Sequence, residues 1–173
     1  MFLADCHTHS LCSPDSNAPM LQMAQKAYEY GLHTLCLTDH CDLLSLEGER
    51  TLDYDWTPVH RERKGMLDAF GTRLDLPMGL EFGMGHLFPE ASEKILGEPG
   101  LDFVIGSIHM LSERYDGMDL YFFDPPNEAE ARRGMADYLG PVRKLAAGGQ
   151  VSGLGHTTPP VRYPNENRRC HPT

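Results

Sequence analysis

The residues with the clearest potential for chemistry are His7 and His9, which stand at the end of the first apolar run of the chain, residues 2–6. If that run forms a strand, alternate side chains point to the same face. The two imidazoles then project together, with Asp5 behind them on that face. Two neutral imidazoles in this arrangement suit a divalent metal ion. The pattern therefore predicts a metal site at the end of the first strand.

Ligand-type residues also follow four later apolar runs. They are Asp39 with His40, Glu81, His109 and His156. Imidazole combined with carboxylate fits zinc, iron or manganese better than calcium or magnesium. Glu81 suits a bridging role, because its two oxygens can face two ions. Asp39 is expected to orient a histidine from behind the ligands.

The elements that must position these residues alternate along the chain. The predicted strands cover about 2–6, 33–38, 74–80, 102–108 and 151–155, and the predicted helices cover about 20–30, 58–70, 89–96 and 128–147. Pro141 is expected to kink or split the last helix. Strands that alternate with helices imply a parallel sheet with right-handed crossovers, whose site lies beyond the carboxyl ends of the strands. All the ligand-type residues fall at those ends.

Length and composition limit the alternatives. A chain of 173 residues allows one domain, but it is small for a closed α/β barrel of roughly 250 residues. The formal net charge of −10 argues against nucleic acid as a partner. No apolar stretch approaches the roughly 20 residues that span a bilayer, and no signal peptide is visible, so we expect a cytoplasmic protein. The five cysteines include no Cys-x-x-Cys pair, which argues against a disulfide framework.

On these residues the chain resembles the PHP (polymerase and histidinol phosphatase) superfamily, and within it the histidinol-phosphatase branch. The matching segments, in order, are His7-Thr8-His9, Ser13-Pro14-Asp15, Thr38-Asp39-His40, Gly79-Leu80-Glu81, Gly106-Ser107-Ile108-His109 and Gly155-His156. The resemblance implies a distorted (β/α)7 TIM-like barrel of parallel strands. It also implies a cluster of two or three divalent metal ions that hydrolyses a phosphate ester.

The resemblance also implies a role for each ligand. His7 and His9 would hold the first metal, Glu81 would bridge the first and second, His109 and His156 would complete the second, and Asp15 and His40 would belong to the third. Glu81, His40 and Asp39 form the predicted catalytic group. Arg162, a short distance beyond the last histidine, is expected to pair with the phosphate of a small substrate through its forked guanidinium.

The end of the chain departs from the family pattern. No Asp-x-His motif occurs after His109, and Thr157 and Thr158 follow His156 where the family often has an acidic residue. The chain is therefore expected to be one incomplete PHP domain over 1–173. It would lack the last strand–helix units and would end in an irregular tail over 157–173. An open sheet edge of this kind would invite association with a second copy.

Four functions remain open at this stage. The first is hydrolysis of a small phosphomonoester, histidinol phosphate in histidine biosynthesis by family analogy. A PHP-type nuclease is the second, and the net acidity and missing basic groove argue against it. The third is an inactive or partner-dependent fragment that binds metal without turnover. An amidohydrolase-type barrel also opens with His-x-His, but it would use a lysine or another bridging residue on a later strand, and Glu81 fits the PHP pattern better.

Overall fold

Helices and strands alternate in the computed structural model, which describes residues 1–45 and 48–157. The strands are β1 (Ala4–Asp5), β2 (Thr34–Leu35), β3 (His40–Asp42), β4 (Met78–Gly83), β5 (Leu101–Ser107) and β6 (Gly153–Leu154). The α-helices are α1 (Met20–Glu29), α2 (Thr57–Phe70), α3 (Pro89–Leu96) and α4 (Glu128–Gly148). Short 3₁₀ turns cover Gly85–Leu87, Glu113–Tyr115 and Leu120–Phe122.

All the strand pairs are parallel, and neighbouring strands follow chain order. β1 pairs with β2, and a second sheet has the order β3-β4-β5-β6. Parallel single-residue bridges from Thr34 to Asp75 and from Leu37 to Met78 join the two sheets. The carboxyl ends of the strands consequently meet at one edge, as the sequence predicted.

Three apolar clusters hold the helices against the sheet. The first lies between α1, α2 and β2, where Met20, Ala24 and Ala27 recur at helical spacing and are buried. The second packs α3 against β4 and β5 through residues that include Ile95 and Phe82. The third packs α4 against the loop that follows β5. These clusters keep the backbone of the strands in register, and that register places the polar groups at the carboxyl edge.

The structure corrects three details of the predicted elements. The second strand, predicted over 33–38, is shortened to β2, and a separate strand, β3, follows beyond the predicted strand and pairs with β4. Glu81 lies inside β4 rather than at its end. Pro141 does not split α4, which runs unbroken from Glu128 to Gly148. Proline removes one amide donor, but buried contacts of Tyr138, Val142 and Leu145 hold both halves of that helix against the loop that follows β5.

The helices of the described residues give no candidate for a membrane span, since none combines enough length with enough apolar character.

Candidate metal centre

The register of the parallel strands brings the predicted residues together. In the β3–β4 pairing His40 stands opposite Glu81. His7 and His9 follow β1, while His109 and His156 follow β5 and β6. All five histidines line one cavity of about 980 Å³. Their rings are neighbours, with centroids 4.4 Å apart for the closest pair, His9 and His40.

Glu81 lies at the centre of this cluster and is fully buried. Its Oε2 lies 3.2 Å from Nε2 of His7 and 2.9 Å from Nε2 of His9. Its Oε1 lies 3.2 Å from Nε2 of both His109 and His156. One carboxylate therefore presents each oxygen to a different pair of histidines, while Nδ1 of His40 lies farther from Oε2, at 3.6 Å.

Ser107, at the end of β5, holds the orientation of that carboxylate. Its hydroxyl donates a hydrogen bond of 2.7 Å to Oε1 of Glu81. A Cβ on Gly155 would lie 2.6 Å from the Ser107 oxygen, so this approach requires glycine directly after β6. Ser107 belongs to one of the motifs that match the family, but no role was predicted for it, because the spacing does not show that its hydroxyl faces Glu81.

Asp15 joins the cluster from the loop after β1. Its Oδ2 lies 2.9 Å from Nδ1 of His9 and 3.6 Å from Nε2 of His40. Ser13 fixes this loop, since its hydroxyl donates to Asp15 at 2.8 Å and accepts from the amide of His40 at 3.2 Å. Asp15 is therefore held in its turn by Ser13 while its carboxylate faces two histidines.

Asp39 is buried behind the cluster, where it contacts Ser10. Its carboxylate accepts hydrogen bonds from the Ser10 amide at 2.5 Å and from the Ser10 hydroxyl at 2.8 Å. Burial raises the pKa of Asp39, against these hydrogen bonds. Because Ser10 follows His9 directly, Asp39 anchors the backbone of the His7–His9 segment.

Asp42 is the acidic residue of the cluster that the sequence analysis missed. It lies on β3, and its carboxylate reaches Nδ1 of His109 at 2.7 Å and Nδ1 of His40 at 3.2 Å. The signal was the spacing of His40 and Asp42, since residues two apart on a strand share a face. It was overlooked because the second strand was predicted to end at residue 38, before His40.

The shared carboxylates change the protonation of the histidines. Contact with Glu81 raises the pKa of His9 to about 9, against the opposing effect of burial. Burial lowers the pKa of His109, but its contacts with Asp42 and Glu81 outweigh this effect and raise it to about 10. Burial raises the pKa of Glu81, but four histidines reverse this and hold it well below its usual range. In the same way, His109 and His40 lower the pKa of Asp42 to about 2.

The donor atoms are arranged as ligands of divalent cations rather than as hydrogen-bond partners of one another. Within the described residues, Nε2 of His9 and Nδ1 of His40 are buried and have no hydrogen bond of acceptable geometry. Each nevertheless lies within about 3 Å of a carboxylate oxygen. Four sets of converging donors could each hold an ion: His7, His9 and Glu81; His9, Asp15 and His40; His40, Asp42 and His109; Glu81, His109 and His156. A buried nitrogen that meets other donor atoms without hydrogen-bonding, as Nε2 of His9 does, is typical of a metal ligand.

The cavity around the cluster is lined by carboxylates as well as by the histidines. Its remaining walls include Leu44, Met110, Leu120 and Tyr121, together with the carboxylates of Asp15, Asp42 and Asp119. Over 1–45 and 48–157, neither lysine nor arginine lines it. Arg162, predicted to contact phosphate, lies outside the described residues, as do residues 158–173 of the predicted tail.

Comparison with known protein families identifies the family to which this chain belongs. A family model described as the PHP domain matches residues 5–158. The chain belongs to the PHP domain family. The match includes every histidine of the cluster, Glu81, Asp15 and Asp42. The resemblance inferred from the sequence motifs is thereby confirmed.

The relatives of the chain are longer than the chain itself. It is 31% identical over 170 residues to a protein of Deinococcus radiodurans named "Probable histidinol-phosphatase", covering 93% of this chain and 62% of that protein. It is 29% identical over 129 residues to the histidinol-phosphatase of Lactococcus lactis, covering 73% of this chain and 47% of that one. The chain thus spans about half to three-fifths of these proteins.

Solved structures support the same fold. The L. lactis histidinol phosphate phosphatase, solved with zinc, L-histidinol and phosphate, matches with a TM-score of 0.69 at 26% identity, over 90% of this chain and 57% of that one. A Listeria monocytogenes protein solved as a candidate histidinol phosphatase matches with a TM-score of 0.72 at 14% identity and shows the fold alone. The α/β architecture with parallel strands is therefore that of the PHP phosphatases.

Proposed function

We propose that this chain carries the metal-binding part of a PHP phosphatase that hydrolyses a small phosphate monoester. The observation that carries the proposal is the position of Glu81, whose two oxygens face separate histidine pairs. A single buried carboxylate between two sets of imidazoles is suited to two cations a short distance apart. The proposed ions are two or three of zinc, iron or manganese, because the donors are imidazole and carboxylate.

The charge of the cavity supports the same proposal. A phosphate dianion would meet carboxylates and no described lysine or arginine on the cavity wall. Without metal cations, the protonated rings of His9 and His109 are already paired with Glu81, Asp15 and Asp42, so they leave little net positive charge to attract a phosphate. Cations held there would neutralise the phosphoryl oxygens and lower the pKa of a nearby water. This distribution of charge on the cavity wall favours an esterase that depends on its metal ions for both substrate binding and chemistry.

The side chains of the cluster have distinct proposed roles. His7, His9, His109 and His156 would hold cations together with Glu81, and Asp15 with His40 would hold a further one. Ser107 keeps the Glu81 oxygens facing the two histidine pairs, and Asp39 fixes the backbone beside His9. The proposed contact between Arg162 and substrate phosphate remains a prediction.

Histidinol phosphate is the substrate that we propose, on the basis of the relatives named histidinol-phosphatase. The experiment compares hydrolysis of L-histidinol phosphate and of an aryl phosphate by the zinc- or manganese-loaded chain and by Glu81→Gln. Glu93→Gln, a substitution of an exposed glutamate on α3, serves as the matched control. We expect turnover that Glu81→Gln abolishes and Glu93→Gln retains. Equal turnover in all three proteins would refute the role of the cluster.

Metal binding without turnover is a second candidate function. The observation that favours it is the lining of the cavity, where the described residues supply converging metal donors but no lysine or arginine to bind a phosphate. Bound zinc without hydrolysis of either ester would support this function over the first. Cleavage of single-stranded DNA but not of small esters would instead indicate a nuclease, which the net charge of −10 disfavours.

A further inference from the structure

Asp42 stands between two histidines that belong to different sets of metal donors. Its Oδ1 lies 2.7 Å from Nδ1 of His109, and its Oδ2 lies 3.2 Å from Nδ1 of His40. The opposite nitrogens of those rings face other carboxylates, with Nε2 of His109 toward Glu81 and Nε2 of His40 toward Asp15. Each ring therefore points one nitrogen at Asp42 and the other into a donor set.

The neighbouring strand leaves room for this carboxylate. Gly83 on β4 stands opposite Asp42 in the strand register. A Cβ at that position would lie 1.7 Å from Oδ1 of Asp42 and 3.2 Å from Nδ1 of His109. Any side chain at residue 83 would therefore displace the carboxylate, and the placement of Asp42 depends on a glycine in the next strand.

We propose that Asp42 is a shared positioning residue that fixes the orientation of His40 and His109 for two separate metal ions. The inference rests on the metal binding in the proposed function and assigns to Asp42 a role that no sequence motif supplied. A carboxylate that accepts from Nδ1–H leaves Nε2 of the same ring as the ligand atom. Asp42 does this for His109 through a hydrogen bond, and its second oxygen lies at an ion-pair distance of 3.2 Å from Nδ1 of His40, so one side chain links the two metal positions.

Direct ligation by Asp42 is the competing interpretation, since His40, Asp42 and His109 also form one of the converging donor sets. The geometry favours positioning. Both oxygens of Asp42 are engaged at hydrogen-bond or ion-pair distance with ring nitrogens, while the nitrogens on the far side of each ring face Glu81 and Asp15. A cation bound between Asp42 and the two Nδ1 atoms would leave Nε2 of His40 and Nε2 of His109 without a metal ion.

The test is a zinc titration of the metal-free chain, with Asp42→Asn compared with Asp75→Asn. Asp75 is a matched control because its carboxylate accepts from Thr34 at the opposite end of the sheet. We expect Asp42→Asn to keep the number of zinc ions bound at saturation and to weaken the dissociation constant roughly 10- to 100-fold. Asp75→Asn is expected to leave both unchanged. An unchanged dissociation constant in Asp42→Asn, or the loss of one ion at saturation, would overturn the proposal.

Gly83→Ala provides a second variant that removes no donor atom. It is expected to weaken zinc binding in the chain that retains Asp42, because the added methyl group occupies the position of the carboxylate. In an Asp42→Ala background the same change is expected to cost much less, since only the 3.2 Å approach of the added Cβ to Nδ1 of His109 remains. Equal weakening in both backgrounds would show that Gly83 acts independently of Asp42, contrary to the proposal. Circular dichroism of each variant confirms that the fold is retained.

Failure of this inference is distinguishable from failure of the proposed function. If the unsubstituted chain binds no zinc, manganese or iron, the metal-dependent function fails and the inference fails with it. If it binds metal and Asp42→Asn binds equally well, only the positioning role of Asp42 fails.

Discussion

Raising the pH from 6.5 to about 8.5 is expected to destabilise the metal-free protein. The pKa values of His9 and His109 rise from 6.5 to about 9 and about 10 on folding. A raised pKa stabilises the folded state fully below the unfolded value, and this stabilisation is lost as the pH rises toward the folded value. Between the pKa of the unfolded state and that of the folded state, the free energy of unfolding falls by up to about 1.4 kcal/mol per pH unit for each histidine.

The size of the effect follows from the span of about two pH units. One ring contributes roughly 2 kcal/mol over that span. Because both rings contact Glu81, their contributions do not add fully, and we expect about 2 to 4 kcal/mol in total. For a chain of this size that loss lowers the melting temperature by about 10 °C.

Metal binding is expected to reverse the direction in which the free energy of unfolding changes with pH. Cations need neutral imidazole nitrogens, so protons compete with zinc at low pH. The zinc-saturated protein should therefore gain stability as the pH rises over the same span. Urea unfolding of chelator-treated and zinc-saturated protein at several pH values measures both slopes. Glu81→Gln is the control, because without that carboxylate the metal-free slope should flatten. A metal-free protein that becomes more stable with rising pH would refute the reasoning.

Three further predictions concern residues around the cluster. Tyr138→Phe removes the buried hydroxyl that donates to the carbonyl of His156, whose backbone adopts a positive φ of 50°. It is expected to weaken zinc binding measured by calorimetry while the fold persists in circular dichroism. Gly155→Ala should displace the Ser107 hydroxyl from Glu81 and lower zinc affinity in the same assay; unchanged affinity would contradict this. Met66→Ala, in the core between α1 and α2, should cost about 2 to 5 kcal/mol in urea unfolding and leave zinc stoichiometry unchanged.

The sequence predicted the location of the site better than its internal contacts. His7, His9, His109 and His156 could be placed at one edge because ligand-type residues followed successive apolar runs, and parallel strands align their carboxyl ends. Glu81 was expected at the same edge, although it lies inside β4 and reaches the histidines from within the sheet.

The contacts of acidic residues could not be read in the same way. Asp39 was expected to orient a histidine ring, and it contacts Ser10 instead. Asp42 had no predicted role, although it reaches two rings. The hydrogen-bond partner of a carboxylate depends on how segments far apart in sequence approach each other. One example is Asp42 on β3, which contacts His109 in the segment that follows β5. Periodicity specifies which face a side chain occupies, but it does not specify its partner on that face.

The central claim is that histidines from separate strands share divalent cations through Glu81. Elemental analysis of the chain after zinc loading and dialysis, beside Glu81→Gln treated identically, tests it most directly. The account predicts at least two zinc ions per unsubstituted chain and a loss of both ions bound next to residue 81 in the variant. An unsubstituted chain that retains no zinc, or a variant that retains as much as the unsubstituted chain, would contradict it.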